Sequence, residues 1–109
     1  IEIARRNLAE AGLSQWVKFV LGDARETLPT LEGPFDLLLL DCWDALYIEL
    51  LGLITPLLRP GGLLVADNVT AGNPKSDPYL QAVRNSPDMD SAYVPIGRNI
   101  EVSVKKLAA

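Results

Sequence analysis

Apolar and polar positions along the chain switch repeatedly between a helical and an extended period, and the switch points divide it into elements. Residues 2–11 place Ala4, Leu8 and Ala11 on one face and stop at Gly12, which predicts a helix. Val17, Phe19, Val20 and Leu21 predict a strand over 17–21 that ends at Gly22-Asp23. A short helix is expected over 24–31, broken by Gly33-Pro34. The run from Phe35 to Asp41 is apolar at nearly every position, as expected of a strand covered on both faces. Asp44 is placed to cap a helix over 44–58, with Leu46, Leu50, Leu53, Ile54 and Leu57 at helical spacing. Pro56 should kink that helix or end it early. Arg59-Pro60-Gly61-Gly62 reads as a turn, and Leu63 to Asp67 as a second buried strand. After a loop over 71–75, Ser76-Asp77-Pro78 opens a helix running to about Asn85. The tail, 91–96 and 99–105, reads as a hairpin about Gly97-Arg98, with Ile100, Val102 and Val104 alternating against Glu101, Ser103 and Lys105.

Strands alternating with helices, then a closing hairpin, predict an α/β domain with a mostly parallel sheet and one reversed strand. No repeat, low-complexity stretch or linker interrupts the pattern, so residues 1–109 are read as one domain. The chain opens in helical pattern without an initiator methionine, and the expectation is that residues are missing upstream.

Composition changes this picture mainly by exclusion. The chain is 49% hydrophobic and 22% charged, ordinary for a soluble globular domain. A net charge of −4 speaks against a broad electrostatic grip on nucleic acid. No apolar stretch approaches the roughly 20 residues of a membrane span, and no basic-then-apolar leader is visible. The single cysteine, Cys42, excludes an intrachain disulfide and fits a reducing cytoplasm. There is no histidine, which removes Ser-His catalysis, histidine metal sites and the usual general base.

Both strongest apolar runs end in acids: Asp41 closes the first, and Asp67-Asn68 closes the second. Ligands of open α/β sheets bind at the carboxyl ends of strands. Brought side by side, Asp41, Asp67 and the Asn68 amide oxygen would suit one hard cation such as magnesium or calcium. The same residues also read as a loop acid or cap at Asp41 and an Asx turn at Asp67-Asn68. Gly22-Asp23-Ala24 fits a turn that holds a polar ring edge, the carboxylate accepting from an exocyclic amine. It fits a helix cap equally well. Trp43 and Tyr47 would line a flat pocket or pack half-buried. Cys42, beside a carboxylate, is read as inert, and Arg5-Arg6 and Lys105-Lys106 as solvated faces.

Taken together, Gly22-Asp23-Ala24, the Phe35–Asp41 run, Tyr47, the block from Leu57-Leu58-Arg59-Pro60-Gly61-Gly62 to Ala66-Asp67-Asn68-Val69, and the tail from Val94 to Lys105 resemble the cation-dependent O-methyltransferases. That family includes the catechol and caffeoyl-CoA enzymes, and the resemblance covers nearly the whole chain. It implies a Rossmann-like class I methyltransferase sheet of strand order 3-2-1-4-5-7-6, here lacking the first two strands. It also implies S-adenosylmethionine as cofactor, with Gly22, Asp23, Ala24, Asp41 and Trp43 on the cofactor side. Asp41, Asp67 and Asn68 would hold a magnesium-type ion, with Asp41 also catalytic. The small-molecule substrate would be a vicinal diol such as a catechol.

Two departures qualify that expectation. Where these enzymes often carry a lysine three residues after the first metal acid, this chain has Asp44, which implies weak or altered chemistry. The glycine-rich cofactor loop is absent, so the chain alone is expected to be incomplete. With two strands missing, the remaining edges would be unpaired. The chain is then a fragment, closes the gap by moving a strand, or pairs with a second copy as a homodimer, in one form strand-swapped. The rival reading is a non-catalytic methyltransferase-like dimerisation or binding module. A phospho-receiver domain lacks its paired acids and lysine here, and a nicotinamide-binding domain lacks Gly-x-Gly-x-x-Gly.

Overall fold

The computed structural model describes residues 1–107. Eight regular elements follow in chain order: α1 (Glu2–Glu10), α2 (Ala24–Thr27), β1 (Phe35–Leu40), α3 (Tyr47–Ile54), β2 (Leu58–Asp67), α4 (Asp77–Asn85), β3 (Met89–Val94) and β4 (Ile100–Lys105). Single 3-10 turns at Ser14–Trp16, Leu28–Thr30, Asp44–Leu46 and Thr55–Leu57 join them. Pro29 and Pro56 sit inside two of these turns, which is why the expected longer helices stop early.

The sheet has four strands in the order β1-β2-β4-β3. β1 and β2 run parallel, while β4 runs antiparallel to both β2 and β3. This is the 4-5-7-6 portion of the order that the sequence resemblance implies, closing hairpin included. Residues 17–21 depart from expectation: they form no strand. Val17 is extended, with φ −126° and ψ 129°, yet no described strand lies beside it to complete a ladder. A strand needs a neighbour to satisfy its backbone groups. The turn expected at Arg59-Pro60-Gly61-Gly62 is likewise absorbed into β2. Phe35 pairs with Leu58 and Leu37 with Leu63, so four residues of β2 stand opposite Asp36. Gly61 takes φ +80° within that insertion, and Arg59 closes it by an ion pair with Asp36.

The core lies between one sheet face and the pair α3 and α4. Leu40, Leu58, Leu64 and Ala66 meet Tyr47, Leu50, Ile54, Tyr79, Leu80 and Val83 there. The face also buries a charge: Glu101 is fully buried, and its carboxylate accepts from Arg84 at 2.8 and 2.9 Å and from the Ser91 hydroxyl at 2.6 Å. That pairing allows an acid in a β-strand core. Lys105, expected to be solvated, donates to the Thr55 and Leu58 carbonyls, both at 2.8 Å. It ties β4 to the chain just beyond α3.

The opposite face is open. Leu37 and Leu39 are 55% and 59% exposed, contrary to a β1 covered on both faces, and Leu63 and Val104 are also exposed. α1 buries none of its residues, so its apolar stripe does not close that side. The radius of gyration is 15.0 Å, against about 13 Å for a compact chain of this length. The outer edge of β1 is unpaired, and an apolar groove lined by Ala24, Leu28, Leu39, Leu50 and Ile54 runs beside it.

An isologous partner brings an identical edge and an identical apolar face, and so satisfies both needs at once. We propose that, were residues 1–109 the whole protein, the chain would form a homodimer through this side. Light scattering is expected to report twice the 11.9 kDa chain mass. A monomer mass at micromolar concentration contradicts the proposal.

Candidate metal and cofactor site

The parallel register builds the centre of the site. Leu40 pairs with Ala66, so Asp41 and Asp67 follow at adjacent strand ends. Side chains alternate along a strand, and Leu40 and Ala66 both face the core, so both acids turn away from it. Asp41 is exposed and Asp67 half-buried. Among the described residues no lysine or arginine forms an ion pair with either one. Asn68 follows at φ 59°, a left-handed conformation that asparagine tolerates, and its N–H donates to the Asp67 carboxylate at 2.9 Å. This bond reaches the next residue rather than the one after it, so it is not the Asx turn expected there, and among the described residues it leaves the second Asp67 oxygen without a hydrogen-bond partner.

No group of three or more His, Cys, Asp or Glu side chains converges among the described residues. The expected ligand set contains two such groups, completed by the Asn68 amide. Two neighbouring carboxylates with no basic partner fit a hard divalent cation, which offsets their mutual repulsion.

Tyr47 holds the two strand ends together. Its ring is fully buried, and its hydroxyl lies 3.1 Å from the Leu40 carbonyl, 3.3 Å from that of Cys42 and 3.0 Å from that of Asp67. Desolvation pushes its phenol up to about 12. From sequence Tyr47 was legible only as pocket lining or half-buried packing; its position six residues after Asp41 was the available signal.

Asp44 does not cap α3. Trp43 occupies the cap position of the 3-10 turn, and the Asp44 carboxylate instead accepts from the buried Ser76 hydroxyl at 3.2 Å. That hydroxyl also accepts from the Thr70 N–H at 3.2 Å, so Asp44 links the chain after β1 to the start of α4. Trp43 is 62% exposed beside Asp41. Burial pushes the Cys42 thiol up, with Asp41 adding to the effect, which agrees with an inert cysteine.

On the expected cofactor side, Gly22 has φ +142°, and a Cβ there would meet the Thr27 methyl at 2.9 Å. Glycine is thus required at this turn. Asp23 caps α2, accepting from the Arg25 N–H at 2.9 Å, while the Arg25 guanidinium grips both its oxygens at 2.7–3.2 Å. This side-chain pairing holds the Asp23 carboxyl down at about 2. The arginine partner was not anticipated, although it lies two residues along. Ala24 follows, half-buried, as the first residue of α2.

The sheet order and the acids at adjacent parallel strand ends define a Rossmann-like domain of the class I methyltransferase type. Residues 2–69 match a family profile described as a methyltransferase domain, and the chain belongs to that family. A catechol O-methyltransferase from Mycobacterium tuberculosis is 42% identical over 72 residues, covering 65% of this chain and 33% of that protein. The cofactor-bound structure of Rv0187 from MTB aligns with a TM-score of 0.85 at 28% identity, over 98% of this chain and 57% of that one. The O-methyltransferase TomG from Streptomyces achromogenes, solved in complex with SAM, shares the fold with a TM-score of 0.85 at 24% identity, over 97% and 57%. The chain thus spans about a third of the curated relative and a little over half of the solved ones.

Because Asp23 titrates below its unfolded value of 3.8, its pairing contributes stability above that value and loses it as pH falls through about 2. Arg25→Ala is expected to move the Asp23 carboxyl midpoint up towards 3.8, read by carboxyl-carbon NMR. A midpoint that stays near 2 would show that Arg25 is not the cause.

Proposed function

We propose that this protein takes part in divalent-cation-assisted O-methyl transfer from S-adenosylmethionine to a hydroxyl of a small, catechol-like substrate. The observation that carries the reading is the pair Asp41 and Asp67, each one residue past the last pair of a parallel ladder and, among the described residues, without a basic partner. Names borne by the similar proteins, catechol O-methyltransferase among them, support the reaction class.

In this reading Asp41, Asp67 and Asn68 hold the cation. A magnesium-type ion supplies Lewis acidity, which lowers the pKa of a bound hydroxyl. Gly22 lets the backbone turn where the Asp23 and Ala24 contacts to the cofactor are expected, and Arg25 keeps Asp23 ionised. Asp41, one residue past β1, would in this reading serve both the cation and the cofactor. Trp43, exposed beside it, offers an aromatic face at the mouth of the site. Asp44 has no amine to take the acceptor's proton and is engaged by Ser76, so the chemistry differs from that of relatives with a lysine there. A cytoplasmic setting fits the lone free cysteine; among the described residues no helix is long and apolar enough to cross a membrane.

The second reading, a methyltransferase-like dimerisation or binding module, is favoured by one observation, the uncovered apolar sheet face.

Calorimetric titration with magnesium is expected to show one saturable site that Asp67→Asn weakens at least tenfold, the range for losing a metal-site partner. Absence of saturable binding contradicts the cation reading. S-adenosylmethionine is then titrated with and without magnesium. Micromolar binding supports the transferase reading for this chain. Cation binding without cofactor binding leaves a truncated piece or the module, with transfer to be sought in a longer chain.

A further inference from the structure

We propose that Tyr47 is a positioning residue whose hydroxyl sets the spacing between the two acid-bearing strand ends. The proposal rests on the cation reading given above and deepens it by naming what holds the ligand set in place.

The geometry is specific. Leu40 and Cys42 flank Asp41 in sequence, and the third carbonyl belongs to Asp67 itself. All three oxygens lie 3.0–3.3 Å from one phenolic oxygen. A tyrosine hydroxyl has one proton to donate, so the three carbonyls share it, and the hydroxyl is bound to both strand ends rather than to one.

The ring is held as firmly as the hydroxyl. Tyr47 opens α3, whose Leu50 and Ile54 are buried in the core. Tyr79 of α4 packs against it edge-on, with centroids 5.7 Å apart and planes at 74°. A packed aromatic with a satisfied hydroxyl has little freedom to follow either strand end separately.

The need for such a tie follows from charge. Like charges at neighbouring strand ends repel when no cation lies between them. The ladder between β1 and β2 ends at Leu40 and Ala66, one residue before the acids. At that end of the ladder Tyr47 adds side-chain hydrogen bonds that reach both strand ends. The hydroxyl therefore maintains the ligand spacing while the site is empty, and lowers the cost of organising it when a cation arrives. Ser76, at the start of α4, and Asp44, after β1, brace the same region through a hydrogen bond to each other.

The test compares manganese affinity, read from the EPR signal of the free ion, in the wild-type chain, Tyr47→Phe, Leu50→Ala and Asp67→Asn. Tyr47→Phe keeps the ring and removes the tie, and about tenfold weaker binding is expected, as for loss of an outer partner of a metal ligand. Leu50→Ala destabilises the same helix and the packing against Leu40 while leaving the Tyr47 hydrogen bonds to both strand ends in place. It is expected to lower the melting temperature while the affinity of the folded protein stays at the wild-type value. Wild-type affinity in Tyr47→Phe, with loss in Asp67→Asn, overturns the tie and leaves the cation reading standing. Equal losses in Tyr47→Phe and Leu50→Ala overturn it as well, since general destabilisation would then account for both. No binding by the wild-type chain overturns the cation reading and this proposal with it.

Discussion

The parallel ladder that sets Leu40 against Ala66 is the constraint on which the rest of the site depends. Had β1 and β2 paired one residue out of register, Asp41 would no longer sit beside Asp67, and alternation would turn one apolar set outward. Two features hold the register. Leu40, Leu64 and Ala66 must all face the core formed with α3 and α4. The Arg59–Gly62 insertion, closed by the ion pair of Arg59 with Asp36, fixes where the paired segment begins. The position of the acids is thus a consequence of apolar burial several residues upstream.

The two sides of the sheet differ sharply. One side is fully committed: it buries Tyr47, Tyr79 and a glutamate whose charge is met by Arg84 and Ser91. A buried acid with its partners in place favours one arrangement of α4 against the hairpin, because any slip strands a charge. The other side exposes Leu37, Leu39, Leu63 and Val104 in a row across the strands.

What the sequence made legible follows from what is local. The acids were readable because each ends an apolar run, and the hairpin because Ile100, Val102 and Val104 alternate with polar residues. α4 was readable from Ser76-Asp77-Pro78, and the structure starts it at Asp77. Most of the misses are tertiary. Residues 17–21 have the composition of a strand, but pairing depends on a neighbour that the local pattern does not contain. Asp44 had the right type and place for a cap, yet its partner is Ser76, distant in sequence. Lys105 has the look of a surface charge and instead reaches the carbonyls of Thr55 and Leu58. Tyr47 was legible as pocket lining or half-buried packing, but nothing in sequence aims its hydroxyl at three carbonyls.

The central claim is that two strand ends form one cation site, and paramagnetic broadening by manganese tests it most directly. Substoichiometric manganese added to the isotopically labelled chain is expected to broaden the amide signals of residues 40–43 and 66–69 together, at a common concentration. Broadening confined to one of these segments, or centred on other surface acids such as Asp36 or Asp90, would contradict a shared site.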